Sequence, residues 1–128
     1  MARKFSHSKH TGSKILLIDD NLEYLESTRL LIDREGYNVT AAESGARALT
    51  AARETHFDLI LVDYMMPGMT GEDFVEALRT FDPLVQVILQ TGYASEQPPR
   101  EMLRRLDIQG YFDKSEGPDK LLLWVDVG

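Results

Sequence analysis

Short strand-like runs recur along this chain at intervals of about twenty to thirty residues, and they restrict its fold more than any other feature. KILLI at 14–18 and DLILV at 58–62 are continuous rather than alternating in polarity. A strand with one wet face alternates; a continuous run marks a strand buried on both faces. Between the runs lie amphipathic stretches with helix punctuation. Residues 21–34 read as a helix ended by Gly36, and YNVTA at 37–41 as a strand. Ser44 suits the cap of a helix over 45–55, whose Ala46, Ala48, Leu49 and Ala52 form a small-residue packing face. Thr70 and Asp73 have capping-box spacing for a helix over 71–80. VQVILQ at 85–90 is a fourth strand, and Pro98 and Pro99 open a helix to about 106. QGYFD at 109–113 is a short fifth strand, and 118–127 form the last helix.

Five βα units in strict alternation imply an α/β fold, a doubly wound, five-stranded parallel sheet with helices on both faces. Such sheets bind ligands at the carboxyl ends of their strands. Asp19 and Asp20 end the first strand, Asp63 the third, Thr91 the fourth and Lys114 the fifth. Three converging carboxylates repel one another, and burial opposes their ionisation. A hard divalent cation removes that conflict. Mg2+ suits the all-oxygen donor set, and neither Cys nor His stands near these strand ends to favour zinc or copper.

A cation held by carboxylates suits phosphoryl chemistry. The sequence has no GxxxxGK[ST] and no GxGxxG, which argues against ATP and NAD. Lys114 and Thr91 could neutralise the oxygens of a transferring phosphoryl group. The nucleophile is then a carboxylate. Asp63 is the best candidate because it stands alone on a central strand, while Asp19 and Asp20, as a pair, suit the metal. Taken singly, these residues have plainer roles: Asp20 and Asn21 as helix caps, Thr91 in a turn, Lys114 as a solvated charge, Tyr111 in the core.

Together, IDDN at 18–21, LILVDYMMPGMTG at 59–71, LQTGY at 89–93 and GYFDK at 110–114 resemble the motifs of the response-regulator receiver family of bacterial two-component signalling. The likeness extends over 14–127. It implies a (βα)5 flavodoxin-like fold with strand order 2-1-3-4-5. It implies that Asp63 accepts a phosphoryl group in a Mg2+-dependent reaction, from a sensor histidine kinase or a histidine phosphotransfer protein. By the same likeness, Asp20 ligates the metal directly, Asp19 acts largely through its bound water, and the Met65 backbone carbonyl completes the protein's share. Thr91 is the switch hydroxyl, Lys114 pairs with a phosphoryl oxygen, and Tyr111 is the aromatic switch. Pro67 and Gly71 belong to the loop after the acceptor, and Gly92 leaves the acceptor accessible. Phosphorylation then alters the surface of the fourth helix, fifth strand and fifth helix. The domain catalyses its own phosphotransfer and dephosphorylation and is otherwise no enzyme. Met65 and Tyr93 are bulky where water approaches the acyl phosphate in receivers, so slow dephosphorylation is expected.

Two departures from the family pattern stand out. Proline usually follows the lysine, and the bond between them is typically cis; here the residue is Ser115. Trans is cheaper before a non-proline residue by about 2.5–4 kcal/mol, but aiming Lys114 favours cis, and cis is the expectation. The last helix, PDKLLLWVDVG, is apolar nearly all round, which suggests a homodimer or an adjacent domain packed on it.

Composition closes off other classes. The 128 residues suffice for one domain. Residues 1–13 are expected to be a flexible arm, with His7 and His10 solvated, and 14–128 the receiver domain. Fourteen Lys plus Arg stand against 21 Asp plus Glu, a net charge of −7, which argues against direct nucleic-acid binding and favours a cation or a basic partner. No cysteine is present, and no apolar run is long enough for a membrane span. The basic N-terminus lacks the apolar stretch of a secretory signal, so a cytoplasmic location is expected. Three rival classes remain. A dehalogenase-like phosphatase wants an Asp two residues after its nucleophile, where this chain has Met65. A receiver-like module that is never phosphorylated would not need Asp19, Asp20, Asp63, Thr91 and Lys114 together. A flavodoxin-like cofactor carrier lacks its hydroxyl-rich loop after the first strand.

Overall fold

The computed structural model describes residues 12–92 and 98–127. His7, His10 and all but the last two residues of the expected arm lie outside the described residues, as does Tyr93. Gly12 and Ser13 are tied to the chain after the first helix. The Gly12 N–H donates to Gly36 O, and Ser13 O accepts from the Asn38 N–H.

The strands are β1 (Lys14–Ile18), β2 (Asn38–Ala42), β3 (Leu59–Asp63), β4 (Gln86–Thr91) and β5 (Gly110–Asp113). The helices are α1 (Leu22–Arg34), α2 (Gly45–Glu54), α3 (Gly71–Arg79), α4 (Arg100–Arg105) and α5 (Pro118–Val127). All strand pairs are parallel, in the order β2-β1-β3-β4-β5. This is the doubly wound, flavodoxin-like arrangement expected from the sequence. A short 3-10 turn, Lys114–Glu116, is an element that the sequence reading lacked.

The continuous apolar runs divide between two cores by simple alternation. Leu16, Ile18, Ile60, Val62, Val87 and Leu89 pack with Phe74, Val75 and Leu78 of α3 and Met102 of α4. Ile15, Leu17, Leu59, Leu61 and Ile88 pack on the other face with Leu25 and Ile32 of α1 and Leu121 and Val125 of α5. Buried strands need both coats, because adjacent residues point to opposite faces. β2 at the sheet edge is largely exposed, which explains its mixed sequence.

Caps form where the sequence placed them. Asn21 and Ser44 accept N–H bonds from Tyr24 and Arg47, and Thr70 and Asp73 form a reciprocal capping box. α5 departs from its expectation. Leu121 and Val125 are buried, Leu122 and Trp124 are partly buried against the same core, and Leu123 is left exposed. The sheet and α1 therefore cover most of a helix that looked apolar all round. The Trp124 ring lies over Gly110, where a Cβ would come within 2.8 Å of it.

Candidate functional site

β1 and β3 are neighbours, but the chain leaves β1 toward β2 on one side and reaches β4 from β3 on the other. Their carboxyl ends therefore face a crevice that no crossover covers. Asp19 and Asp20 directly follow β1, and Asp63 is the last residue of β3. One carboxylate oxygen from each lies within 4.8 Å of the other two. The cleft, about 500 Å3, is lined by Asp19, Asp20, Asn21, Tyr24, Asp63, Gly92, Lys114 and Ser115.

Asp19 is fully buried and Asp63 nearly so, while Asp20 is exposed. Asp19 Oδ1 accepts the Asn21 N–H at 2.9 Å. Asp19 Oδ2 is buried, and its partner is the Lys114 ammonium at 2.6 Å. The same ammonium is 3.4 Å from Asp63 Oδ1. Burial, then the charge of Asp19, pushes the Asp63 carboxyl from its ordinary 3.8 up to about 7, against the opposing pull of Lys114. For Lys114, burial works against the charged form, but bonding to Asp19 and the charges of Asp63 and Asp19 outweigh it, so its pKa is raised. Once Asp63 is ionised, three carboxylates against one ammonium leave two negative charges uncompensated. The charge of buried Asp19 opposes ionisation of Asp63 more than that of exposed Asp20 does. The surplus charge and the all-oxygen donors fit a small divalent cation.

The loop after Asp63 is fixed by its backbone. The Tyr64 N–H donates to Gln90 O, and the Gly71 N–H to Tyr64 O. A Cβ on Gly71 would lie 2.6 Å from Asp63 O, so the start of α3 can approach the acidic residue only with glycine there. Met65, on the bend beyond Asp63, is exposed. Thr91 is buried, and its hydroxyl donates to Phe112 O at 3.4 Å. It sits behind the cleft, and its neighbour Gly92 lines it. Tyr111 is half-buried against the core beneath α2, α3 and α4.

The expected cis bond before Ser115 is not found: the described residues contain no cis peptide. Asp113 explains how a trans bond still delivers Lys114. Its Oδ1 accepts the Ser115 N–H at 2.9 Å and the Ser115 hydroxyl at 2.7 Å. Glu116 reaches back to the Asp113 N–H, closing the turn. Gly117, at φ 91°, lets the chain leave that turn for α5. The local cap replaces what proline would impose, without the cost of a non-proline cis bond.

Two further residues belong to the site. The Tyr24 ring centroid lies 4.5 Å from Lys114 Nζ, and the Tyr24 hydroxyl donates to Gln90 Oε1 at 3.2 Å. A glutamine at the end of an apolar strand was the available signal for Gln90. Tyr24 had none, because its partners are distant in sequence.

Comparison with known proteins agrees with this geometry. A family model described as the response regulator receiver domain matches residues 15–126. The transcriptional regulatory protein ZraR of Escherichia coli K12 is 34% identical over 95 residues, 74% of this chain and 22% of ZraR. The DNA-binding response regulator MtrA of Mycobacterium leprae is 37% identical over 79 residues, 62% of this chain and 35% of MtrA. The chain thus spans about a fifth to a third of these relatives. Among solved structures, Vibrio cholerae chemotaxis protein CheY4 superposes with a TM-score of 0.83 at 27% identity, covering 91% of this chain and 98% of that one. Thermotoga maritima TrrA, solved in complex with Mg2+ and BeF, has a TM-score of 0.79 at 29% identity, covering 90% and 97%. With the family model matched from β1 to α5 and an acidic crevice at the carboxyl ends of β1 and β3, this chain belongs to the response regulator receiver domain family.

Proposed function

We propose that this domain takes a phosphoryl group onto Asp63 from a phosphohistidine of a sensor histidine kinase or a histidine phosphotransfer protein. The observation that carries the reading is the cluster of Asp19, Asp20 and Asp63 with Lys114 set 3.4 Å from Asp63. Asp19, Asp20, Asp63 and the Met65 backbone carbonyl would hold Mg2+, which supplies charge neutralisation at the phosphoryl oxygens. The complex of TrrA with Mg2+ and BeF supports that choice by likeness.

In the step itself, an Asp63 carboxylate oxygen forms a bond to phosphorus as the bond to the imidazole nitrogen breaks. The imidazole leaves with the bonding electron pair. Lys114 leaves Asp19 for a phosphoryl oxygen, and the Thr91 hydroxyl turns from Phe112 O toward another. Tyr111 then follows Thr91, altering the surface formed by α4, β5 and α5. The receiver unit runs over 14–128 and acts in the cytoplasm. The exposed Leu123 on α5 is a contact for a second copy or an adjacent domain.

Intact mass after incubation with acetyl phosphate and Mg2+ tests the assignment. One added phosphoryl group is expected in the wild type, and none in Asp63→Asn, whose amide keeps the shape and loses the nucleophile. Equal labelling of the two would remove Asp63 from its role. An unlabelled wild type would favour a module that signals without phosphorylation.

A further inference from the structure

Lys114 stands between two carboxylates that make different demands on it. In this structure it lies nearer Asp19 than Asp63, at 2.6 Å against 3.4 Å. Phosphoryl transfer requires it to leave the first and serve the second. The turn that carries it fixes the backbone through Asp113 and Ser115, but these contacts do not reach the ammonium.

The Tyr24 ring does reach it. Nζ lies 4.5 Å from the ring centroid, within the range of a cation–π contact. The ring faces the cleft from the first turn of α1. Its hydroxyl donates to Oε1 of Gln90, a completely buried side chain whose Nε2 has no hydrogen-bond partner. Gln90 is the register partner of Asp63 across β3 and β4. The ring is therefore referenced to the strand beside the acceptor. An aromatic face attracts an ammonium over a broad area and forms no directed bond, so it can retain the cation while Nζ shifts between oxygens. A third carboxylate there would trap it.

We propose that Tyr24 is a positioning residue for Lys114, holding its ammonium in the cleft by cation–π contact while it passes from Asp19 to the phosphoryl group on Asp63. This rests on the phosphoacceptor reading above. Tyr24 does not touch the reacting atoms and acts through Lys114.

The test measures acetyl phosphate labelling at saturating Mg2+ for wild type, Tyr24→Leu, Tyr24→Phe, Lys114→Ala and the Tyr24→Leu/Lys114→Ala double variant. Loss of an exposed to partly desolvated cation–π contact corresponds to about a two- to thirtyfold change. Tyr24→Leu is expected to slow labelling within that range. Tyr24→Phe keeps the ring and most of the rate. In the Lys114→Ala background, Tyr24→Leu should add nothing, whereas a merely structural role would slow that variant too. Proton NMR of the metal-free protein gives a readout independent of labelling. The Lys114 ε-methylene should be ring-shifted upfield in wild type and Tyr24→Phe, and return to its ordinary position in Tyr24→Leu. An unchanged rate in Tyr24→Leu, an equal loss in the Lys114→Ala background, or no ring shift would overturn the inference while leaving the phosphoacceptor reading intact. A wild type that takes up no phosphoryl group overturns both.

Discussion

Asp63 is costly to the fold that displays it. Its folded-state pKa of about 7 lies above the ordinary 3.8, with burial the main cause. The folded protein therefore binds this proton more tightly than the unfolded chain does. The stability linked to Asp63 is fully present below about pH 4 and is lost as pH rises through about 7. Asp63→Asn cannot ionise, and it leaves Lys114 its closer partner Asp19 at 2.6 Å. The metal-free variant should melt higher than wild type at about pH 8, by on the order of 2 kcal/mol, and the gap should close near pH 4. Thermal melts at the two pH values check this, and a variant less stable than wild type at pH 8 contradicts it. The cost is functional: a carboxylate held out of water beside a like charge is a ready partner for a cation and a phosphoryl group.

At the scale of elements, the segment after β5 shows a local cap standing in for a missing proline. Ser115→Pro would remove the N–H that donates to Asp113 and disturb the 3-10 turn that presents Lys114. It should destabilise the fold by about 1–3 kcal/mol, as expected for a lost cap bond that leaves a carboxylate under-satisfied, and slow acetyl phosphate labelling. A stabilised, fully active Ser115→Pro variant would show that the turn is not held this way. α5 makes a second case. Trp124 fills the space over Gly110, so Trp124→Ala should cost about 3 kcal/mol or somewhat less, given its partial exposure. The loss should appear in denaturant melts of the monomer. If Trp124→Ala instead changed only the oligomeric state, with monomer stability intact, the packing described for α5 would be wrong.

For the whole molecule, cation binding and folding are linked. The three carboxylates are brought within 4.8 Å only when β1 and β3 pair. Mg2+ should therefore bind the folded chain far better than the unfolded one and raise its melting temperature. At a hundredfold excess over the dissociation constant the gain is about 2.7 kcal/mol. Asp20→Ala should remove most of it. Because bound cation must displace the proton from Asp63, the gain should be larger at about pH 8 than at about pH 6. Calorimetry showing the same melting temperature with and without Mg2+ at both pH values would count against the site.

Much of this molecule was legible in the chain because local rules and global fold agree in it. Continuous apolar runs needed two coats, so KILLI and DLILV had to lie inside a parallel sheet. Ser44, Thr70 and Asp73 had to start helices because their side chains satisfy free N–H groups. Strand ends point to Asp19, Asp20, Asp63, Thr91 and Lys114, and the fold gathers the three carboxylates and Lys114 into one crevice. What stayed hidden depends on contacts between segments remote in sequence. Leu122 and Trp124 read as surplus apolar surface, and only the packing of α5 on the sheet shows what covers them. The trans bond at Ser115 was decided by Asp113 Oδ1, whose two bonds to Ser115 arise from a turn that no periodicity announces. Tyr24 looked like any residue in a helix's first turn until the fold set its ring beneath Lys114 and its hydroxyl on Gln90. Periodicity and capping are short-range and are written in neighbouring residues. The position of one ammonium between two carboxylates and a ring is fixed by four strands' worth of packing, and only the tertiary structure decides it.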